Sequence, residues 1–382
     1  MKVLHVISSL SLEGGGPAQG VRNLTSFYAS MNVSPTVLTL DDKDDSLGNT
    51  DHLEVIRLGK GKGIFSYHPE LVEWLKRHSH EYNSVVVHGL WQYHGYAVYK
   101  ALKKSNIPYY VFPHGMLDPW FKHAYPLKHL KKYIYWFLAQ YSVLKNSKAV
   151  LFTCEEEKLL ARESFWPYRV NESVVNYGTT ITEIAKNSKS DDFYTKYPEL
   201  KNKIIFLFLS RIHEKKGCDL LIQAFAKIAK SNSDLHLVMA GPDQTGWQAD
   251  LEKIADDYCI ADRITWTGMI KNEMKWGAIK AAEVFILPSH QENFGISVAE
   301  ALAVGTPVLI SSKVNIWREI KEMNAGLVGD DTLEGTQKLL QAWLDLSENE
   351  KQIIKQNTVA CYKQKFDISQ AAKNLIELIR IN

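Results

Sequence analysis

Residues 288–307 read PSHQENFGISVAEALAVGTP and decide how the surrounding chain folds. One short apolar run, 284–287, precedes this stretch, and a second, 307–310, follows it. Both runs are typical of strands buried on both faces of a parallel sheet. The small and apolar residues between them predict one short helix that begins near Gly295. Residues 288–294 then form a loop at the carboxyl end of a strand, where open parallel sheets bind ligands.

Two carboxylates, Glu292 and Glu300, lie on either side of the predicted helix start. A helix N-terminus offers free N–H groups to an anion, and carboxylates accept hydrogen bonds from sugar hydroxyls. A nucleotide sugar provides both phosphates and hydroxyls. The alternative is structural, because Ser297 and Glu300 have the S-x-x-E spacing of a capping box. Both interpretations hold together if Ser297 caps the helix while Glu300 contacts a ribose.

Length, charge and cysteine usage indicate an ordinary globular protein. A chain of 382 residues with a formal charge of +2 predicts two domains and gives no reason to expect a nucleic-acid partner. The four cysteines form no C-x-x-C pair, which favours reduced thiols in a cytosol. The first residues lack the pattern of a secretory leader, and no apolar run approaches the roughly 20 residues that span a bilayer. We therefore expect a cytoplasmic protein.

Apolar runs alternate with helical patterns along both halves of the chain, which predicts doubly wound parallel sheets. In the first half, strands are predicted at 3–7, 37–40, 53–58, 84–88, 109–112 and 149–152, with helices near 18–30, 69–80, 94–105 and 127–145. In the second half, strands are predicted at 204–209, 235–240, 263–267, 284–287 and 307–310, with helices between them and from 333 onward. Residues 177–203 are polar and aperiodic, and we predict a linker there.

Residues 210–217, SRIHEKKG, follow the first strand of the second half. Arg211 offers a planar bidentate fork to phosphate, and Lys216 offers a compact point charge. Each pair with a phosphate could contribute about 4 kcal/mol of gross Coulomb energy at an effective dielectric near 20. Two such cations could hold a diphosphate and stabilise the charge that grows on it as a glycosyl bond breaks. The alternative is a solvated basic turn that Gly217 ends.

A glycine run, residues 14–16, follows the first strand and is succeeded by Pro17 and Gly20. The spacing resembles a dinucleotide-binding fingerprint, in which Asp41 or Asp42 would hold a ribose. The glycines come late after the strand, however, and proline removes an N–H that a pyrophosphate would use. We therefore expect a flexible glycine loop that closes on the phosphates of a ligand.

Two histidines follow strands of the first half. His114 lies in a sharp turn before Gly115, where its side chain can reach a ligand. His88 is a similar strand-end residue with weaker support. The alternative for both is packing, and His5, inside an apolar strand, is expected to be a satisfied core residue.

Residues 122–145 form a basic amphipathic stretch. Six apolar side chains fall on one helical face: Leu127, Leu130, Ile134, Phe137, Leu138 and Tyr141. Lys128, Lys131 and Lys132 lie on the opposite side. We interpret the stretch as a core helix with a solvated basic face, and contact with an anionic membrane surface is the alternative. No metal-ligand spacing and no G-x-S-x-G motif is found.

Together these residues are similar to the retaining glycosyltransferases of family 4, which have the GT-B fold. The similarity rests on the E-x7-E pair Glu292 and Glu300, the tail 301–308, the S-R-x4-K-G run 210–217, residues 240–242 and Gly268. In the first half, PHGMLDPW at 113–120 is similar to a subgroup that works on bacterial surface polysaccharides. The resemblance implies an α/β protein whose two doubly wound parallel-sheet (Rossmann-like) domains face each other across a cleft.

The resemblance also implies roles for individual residues. Arg211 and Lys216 would hold the diphosphate leaving group, and Glu292 would face the hydroxyls of the donor sugar. Glu300 would face the ribose, and His114 would contact the donor sugar near the reacting centre. The remaining donor contacts would come from the helix start, from near the nucleobase and from the first domain: Asn293, Phe294, Gly295 and Ile296; Gly268 and Met269; Gly15 and Gly16.

The implied domains are an acceptor-side domain at 1–176, the linker with its flanks at 177–203, a donor-binding domain at 204–365, and a helix at 366–382 that crosses back to the first domain.

The implied activity moves a sugar, with retention and without a metal or cofactor, from a UDP- or GDP-sugar to a glycan or lipid-linked glycan. The expected place is the cytoplasm, with peripheral contact at the inner membrane face through 122–145. Alternatives are an epimerase on the same fold and an inactive nucleotide-sugar-binding subunit, against which the intact Arg211, Lys216, Glu292 and Glu300 argue.

Overall fold

Two parallel sheets organise the chain, which the computed structural model describes over residues 1–11 and 15–381. The first unit comprises Met1–Gly178 and Ile368–Asn382, and the second comprises Thr179–Asp367. Within the described residues, no helix combines the length and apolar character needed to cross a bilayer.

The first unit is built on a seven-stranded sheet with the order β3-β2-β1-β4-β5-β6-β7. All its neighbouring strands run parallel. The strands are β1 (Lys2–Ile7), β2 (Ser34–Thr39), β3 (Glu54–Arg57), β4 (Ser84–His88), β5 (Tyr109–Phe112), β6 (Ala149–Phe152) and β7 (Glu172–Val174). Six of the seven were predicted, and β7 was missed because three residues carry no periodicity.

Helices cover the sheet of the first unit. They are α1 (Gly15–Thr25), α2 (Leu71–His78), α3 (Tyr93–Leu102), α4 (Trp120–Ala124), α5 (Pro126–Tyr135), α6 (Tyr141–Lys145) and α7 (Glu155–Ala161), with α17 (Ile368–Ile381) joining from the end of the described chain. Helix α17 buries Ile368, Leu375 and Ile376 in a cluster that also contains Val3 and Tyr110. The first unit is therefore assembled from two separate segments of the chain.

The second unit has a six-stranded parallel sheet with the order β10-β9-β8-β11-β12-β13. Its strands are β8 (Ile204–Leu209), β9 (Leu235–Ala240), β10 (Ile264–Gly268), β11 (Val284–Leu287), β12 (Val308–Ser311) and β13 (Gly326–Gly329). Its helices are α8 (Glu183–Asn187), α9 (Ser190–Tyr194), α10 (Cys218–Ala229), α11 (Gln248–Asp257), α12 (Asn272–Ala281), α13 (Ile296–Ala303), α14 (Trp317–Glu322), α15 (Leu333–Asp345) and α16 (Glu348–Cys361).

Residues 179–203, predicted as linker, instead belong to the second unit and carry helices α8 and α9. Phe193 is fully buried, and Lys280 Nζ donates to the carbonyl oxygens of Ala185 and Ser188, both at 2.7 Å. A Cβ on Gly277 would lie 2.9 Å from the carbonyl oxygen of Lys189, so α12 and this segment pack closely. The helices were missed because each is only five residues long, too short to show a helical period.

The amphipathic stretch at residues 122–145 is helical, but it does not bury the face that was predicted to lie in the core. The side chains of the predicted core face are mostly exposed: Leu127 by 77%, Leu130 by 63%, Ile134 by 60%, Phe137 by 54% and Leu138 by 75%. Trp136, Val143 and Leu144 are buried instead. Residues Trp136–Gln140 are π-helical, and a π-bulge shifts the register of a helix. The prediction of a core face was wrong because α5, which precedes this turn, buries none of its side chains and presents its apolar stripe to solvent.

Candidate active site

The candidate site of the second unit lies at the carboxyl ends of β8 and β11. Strand β8 has β9 on one side and β11 on the other, so the strand order reverses at this point. Parallel sheets bind ligands at such a reversal. The loops that follow β8 and β11 are residues 210–217 and 288–295, the two stretches that the sequence singled out.

The loop after β8 is short and tightly bonded. His213 Nδ1 accepts the N–H of Lys215 at 3.1 Å, which starts a 3-10 turn at Glu214–Lys216. Gly217 has a left-handed φ of 64° and leads into α10. A Cβ on Gly217 would lie 2.3 Å from the carbonyl oxygen of Pro288. The two loops therefore touch backbone to backbone, which only glycine permits here.

Lys216 and Glu292 form an ion pair between these loops. Lys216 is buried. The backbone of Glu292 is held by the loop after β12, where Glu292 N–H donates to Lys313 at 2.9 Å and Asn315 N–H donates to the Glu292 carbonyl at 3.0 Å. The sequence separated the two side chains, assigning one to phosphate and the other to sugar hydroxyls. The structure brings them together, so each charge is neutralised by the other.

Helix α13 begins at Ile296, with Gly295 in the left-handed region at φ 74° as its N-cap. Ser297 is thus the second residue of the helix, and the predicted capping box is wrong. Glu300 is buried and accepts a hydrogen bond from Lys275 Nζ at 2.7 Å. The Lys275 ammonium also lies 4.5 Å from the ring centroid of Trp276. Lys275 was missed because α12 carries no motif that marks one of its lysines.

The other predicted residues of the second unit occupy the same edge of the sheet. Arg211 is exposed, and its Nη1 donates to Gln244 Oε1 at 3.3 Å. Gly268, with φ 64°, accepts the N–H of Gly241 at 2.9 Å. Met269 is 57% exposed beside it.

Asn293 and Phe294 precede the helix start. Asn293 Oδ1 accepts from Asn315 Nδ2 at 3.5 Å. Phe294 is buried and packs edge-on against Phe366 with ring centroids 5.7 Å apart. Phe294 therefore anchors the segment, and its side chain is committed to packing.

In the first unit, the predicted glycine loop is helical where it is described. Gly15 and Gly16 open helix α1, whereas Gly14 lies outside the described residues. Tyr177 Oη donates to the Gly16 carbonyl at 3.2 Å, and a Cβ on Gly20 would lie 1.2 Å from that same Oη. Gly20 thus makes room for Tyr177, whose ring packs against His114 with centroids 5.9 Å apart.

The structure argues against Asp41 as a ribose-binding residue of a dinucleotide site. Its buried carboxylate accepts hydrogen bonds from Leu10 N–H at 2.6 Å and Thr39 Oγ1 at 2.6 Å. Ser9 Oγ donates to it as well, at 2.5 Å. Both carboxylate oxygens already accept hydrogen bonds within the fold, so Asp41 is not placed to bind the hydroxyls of a ribose.

A chain of three histidines begins at the buried His5 and His88 and ends at the half-buried His114. His5 Nδ1 lies 2.9 Å from His88 Nε2, and His88 Nδ1 lies 3.1 Å from His114 Nε2. His114 has a left-handed φ of 51°. Burial lowers the pKa of His5 to about 3 and the pKa of His114 to about 4. All three rings are neutral at pH 7, because burial and the neighbouring histidines also lower the pKa of His88.

Neutral rings in a chain must share one hydrogen per contact, so their tautomers are coupled. His5 Nε2 is buried and has no partner among the described residues. An orphaned buried acceptor is more common than an orphaned N–H. The favoured arrangement therefore puts the hydrogens on Nδ1 of all three rings, with His5 donating to His88 and His88 donating to His114. The expectation of a satisfied core residue fails at His5 Nε2.

Glu157 holds the turn that carries His114 and was not singled out from the sequence. Its Oε1 accepts the N–H of Gly115 at 2.6 Å. Its Oε2 accepts the N–H and Oγ1 of Thr153 at 2.8 and 2.6 Å. The residue belongs to α7, which the sequence pattern did not reveal.

Within residues 1–11 and 15–381 there is no cluster of three or more His, Cys, Asp or Glu side chains that could hold a metal ion.

Comparisons with known proteins match both units. A family model described as "Glycosyl transferase 4-like domain" matches residues 15–178, and one described as "Glycosyl transferases group 1" matches residues 190–359. The D-inositol 3-phosphate glycosyltransferase of Corynebacterium urealyticum is 24% identical over 256 residues, 64% of this chain and 59% of that protein. The alpha-monoglucosyldiacylglycerol synthase of Streptococcus pneumoniae is 31% identical over 163 residues, 41% of this chain and 36% of that protein.

These alignments therefore span 59% or less of the length of either relative. Among solved structures, Anabaena HepE in complex with UDP matches with a TM-score of 0.79 at 16% identity, covering 100% of both chains. At that identity the likeness concerns the fold alone. With the two parallel sheets, it confirms the predicted α/β fold of the GT-B type.

Proposed function

The chain belongs to the glycosyltransferases of the family 4 type, and on that premise we propose that it moves a sugar from a nucleoside-diphosphate sugar to a glycan or lipid-linked glycan acceptor. The observation that carries the proposal is the Lys216–Glu292 pair at the strand-order reversal, beside the helix that Gly295 opens. That arrangement offers an ammonium and helix N–H groups to phosphate, and a carboxylate to hydroxyls.

We assign the diphosphate to Lys216 and Arg211. Lys216 is buried and fixed, whereas Arg211 is exposed and has Gln244 as its one hydrogen-bond partner among the described residues. A fixed ammonium can stabilise charge that develops on the leaving oxygen without first reorganising. An exposed guanidinium can move to grip the phosphates bidentately. The two cations therefore suit different parts of the same task.

We assign the donor's hydroxyls to the two carboxylates. Glu292 would accept from the sugar and Glu300 from the ribose, and each carboxylate is oriented by an ion pair with a lysine. The donor contacts predicted at Asn293, Phe294, Gly295 and Ile296 would come from this helix start, with Gly268 and Met269 near the nucleobase. His114, Gly15 and Gly16 remain predicted donor contacts of the first unit.

The proposed reaction retains the anomeric configuration and needs no metal. The bond between the anomeric carbon and the diphosphate oxygen breaks, and its electron pair goes to the diphosphate beside Lys216 and Arg211. The acceptor hydroxyl forms the new bond on the same face and gives its proton to the departing phosphate. Two protein cations would thus supply charge stabilisation that a metal ion supplies elsewhere.

Relatives support the proposed partners. The structural neighbour HepE binds UDP, and the Streptococcus relative is named for a glucosylated diacylglycerol. A UDP- or GDP-sugar donor and a lipid-linked acceptor are therefore reasonable proposals, as is a role in polysaccharide biosynthesis. We place the protein in the cytoplasm at the inner membrane face, with peripheral contact through residues 122–145.

The test is a panel of UDP- and GDP-sugars, screened first for thermal stabilisation and then for turnover. The expected result is one preferred donor, slow hydrolysis without acceptor, and an α-configured product from an α-configured donor by NMR. Activity should persist in EDTA, and a complete loss that manganese restores would contradict the metal-free proposal. Sugar isomerisation without any acceptor would identify an epimerase instead, and binding without turnover an inactive subunit.

A further inference from the structure

The first unit has an exposed apolar face on one of its helices. It comprises the exposed side chains of α5 and the following π-helical turn: Leu127, Leu130, Ile134, Phe137 and Leu138. We call these five residues the apolar face. Large exposed apolar patches mark interaction sites on soluble domains.

Two neighbouring segments extend the apolar face. Phe65, itself 47% exposed, stacks on Tyr135 with ring centroids 5.3 Å apart, and Ile64 beside it is 86% exposed. Trp166 is 74% exposed, and its backbone N–H donates to Tyr133 Oη at 2.9 Å. Aromatic and aliphatic side chains from two further segments of the chain thus lie beside this helix.

The charged residues of the segment that carries this face have a single sign. Between Asp118 and Glu155 the sequence contains six lysines and no acidic residue. Lys122, Lys128, Lys131 and Lys145 are exposed. Neither Lys128 nor Lys132 has a carboxylate partner among the described residues. An apolar helix face with lysines along its own segment is complementary to an anionic lipid surface.

A cavity of about 250 Å³ opens beside the apolar face, and Tyr125, Lys128, His129 and Lys132 line it. The Lys132 ammonium lies 4.7 Å from the Trp91 ring centroid, and burial and the nearby Lys128 lower the pKa of Lys132. Asp118 also lines the cavity, but its Oδ1 accepts the N–H of Trp120 at 2.8 Å. A lipid phosphate would relieve the repulsion between the two lysines.

We propose that the apolar face docks on an anionic phospholipid bilayer, with a lipid phosphate seated between Lys128 and Lys132. The inference rests on the proposed lipid-linked acceptor and membrane contact, and it names the side chains and the lipid chemistry that make the contact. The apolar side chains enter the boundary of the acyl chains while the lysines remain among the headgroups. The bilayer then supplies the apolar surroundings that the folded chain does not.

The experiment is flotation of the full chain with vesicles of phosphatidylglycerol and phosphatidylcholine in equal parts, compared with phosphatidylcholine alone. We expect strong binding to the anionic vesicles, at least tenfold weaker binding to the neutral ones, and loss of the difference in 0.5 M salt. Leu130→Glu with Leu138→Glu should weaken anionic binding at least tenfold. Ile353→Glu, at an apolar site of the second unit that is 45% exposed, should not.

The phosphate site has its own variant. Lys128→Gln with Lys132→Gln should weaken binding to anionic vesicles more than Lys103→Gln with Lys104→Gln, which removes equal charge from another exposed site of the same unit. Equal losses in the two double variants would overturn the phosphate site.

The proposed docking on a bilayer is contradicted if the wild-type protein does not bind anionic vesicles or if the glutamate variant binds them as well as wild type. It also fails if sedimentation shows a dimer that the glutamate variant abolishes while vesicles bind neither protein, because a second copy then covers the face. Donor hydrolysis in lipid-free buffer tests the glycosyltransferase proposal separately. It should be the same in wild type and in both lysine and glutamate variants.

Discussion

Lys216 and Glu292 have opposite charges, although the proposed ligand carries only negative charge. The carboxylate has a role before the ligand binds, because it pairs with the lysine. Before a donor binds, the pair keeps a buried ammonium from standing alone, which would cost several kcal/mol of desolvation. Breaking such a pair by removing one partner destabilises a protein, so activity and stability must be measured together at this site.

Lys216→Ala is expected to lower kcat by about 10²–10³-fold, the usual cost of removing one preorganised donor of charge stabilisation. Steady-state kinetics with the preferred donor would measure it. Lys215→Ala is the matched control, because this neighbouring lysine has no assigned part in the reaction, and its turnover should stay near wild type. Adding Glu292→Gln to Lys216→Ala should restore stability in urea without restoring turnover. A Lys216→Ala enzyme with normal kcat would remove Lys216 from the mechanism.

Lys275→Met is expected to raise the donor KM more than it lowers kcat, because it releases Glu300 from its 2.7 Å contact while leaving the cations in place. Lys275→Arg should recover most of the KM. The control is Lys271→Met, an exposed lysine just before the same helix. If both methionine variants behave alike, Lys275 does not orient Glu300.

At the level of single residues, the sequence predicted Lys216, Glu292, Glu300 and His114 as site residues from the chemistry of strand-end loops. It could not predict that Lys216 bonds Glu292, or that Lys275 reaches Glu300 from another helix. Such pairings depend on which loops the sheet order makes neighbours, and 76 and 25 residues separate the partners.

At the scale of secondary-structure elements, the loops after β8 and β11 pack closely because Gly217 has no side chain at their contact. Gly217 and Gly246 both have left-handed φ angles, 64° and 74°, but a Cβ on Gly217 meets the Pro288 carbonyl whereas one on Gly246 meets nothing within 4 Å. The comparison separates the cost of the backbone conformation from the cost of the contact.

Gly246→Ala is expected to cost about 1 kcal/mol of unfolding free energy from the left-handed backbone alone. Gly217→Ala should cost clearly more and should also lower kcat, because the loop that carries Lys216 must move away from Pro288. Urea unfolding and donor kinetics on both variants would measure this. Equal losses of stability, with unchanged kcat, would mean that the loop contact is unimportant.

The sequence pattern located the amphipathic helix but assigned the wrong face of it to the core. The alternation of apolar and polar residues located nearly every long element, since burial on a sheet imposes it. Helix α5 buries none of its side chains, and the exposed stripe runs from Leu127 into the π-helical turn at Leu138, whereas Trp136, Val143 and Leu144 are buried. A helical period shows which side chains share a face, but it does not show whether that face meets the sheet or solvent.

Across the whole molecule, buried histidines should make stability fall with acid. The folded-state pKa values of His5, His94 and His114 are about 3, 4 and 4, below the ordinary value of 6.5. The unfolded chain therefore takes up protons first as pH drops below about 6.5, and each histidine can remove up to about 1.4 kcal/mol per pH unit from the free energy of unfolding. This loss should continue toward pH 4.

Urea unfolding between pH 7.5 and 5 would measure that slope. His94→Gln should make it shallower, whereas the exposed His80→Gln should not. Burial raises the pKa of Glu157, whose effect has the opposite sign, but that contribution is common to all three proteins. Stability that stays constant down to pH 5 in wild type would contradict the burial of the histidine chain.

The division into units was only partly readable from sequence. Two runs of alternating strands and helices predicted two sheets, and the structure has two. Residues 179–203 looked like a linker because their few buried side chains, among them Ala185, Phe193 and Leu200, are too far apart to form a pattern. Membership of a unit is decided by contacts with α12, which lies some eighty residues later.

The packing of α17 on the first unit has a consequence for how the protein is made. On the ribosome, Thr179–Asp367 emerges as one uninterrupted piece and can finish folding by itself, whereas Met1–Gly178 must wait with part of its apolar surface uncovered until Ile368 and its successors follow. The half that is synthesised first is thus completed last. During that interval a nascent chain has an open hydrophobic groove, the kind of surface that chaperones recognise.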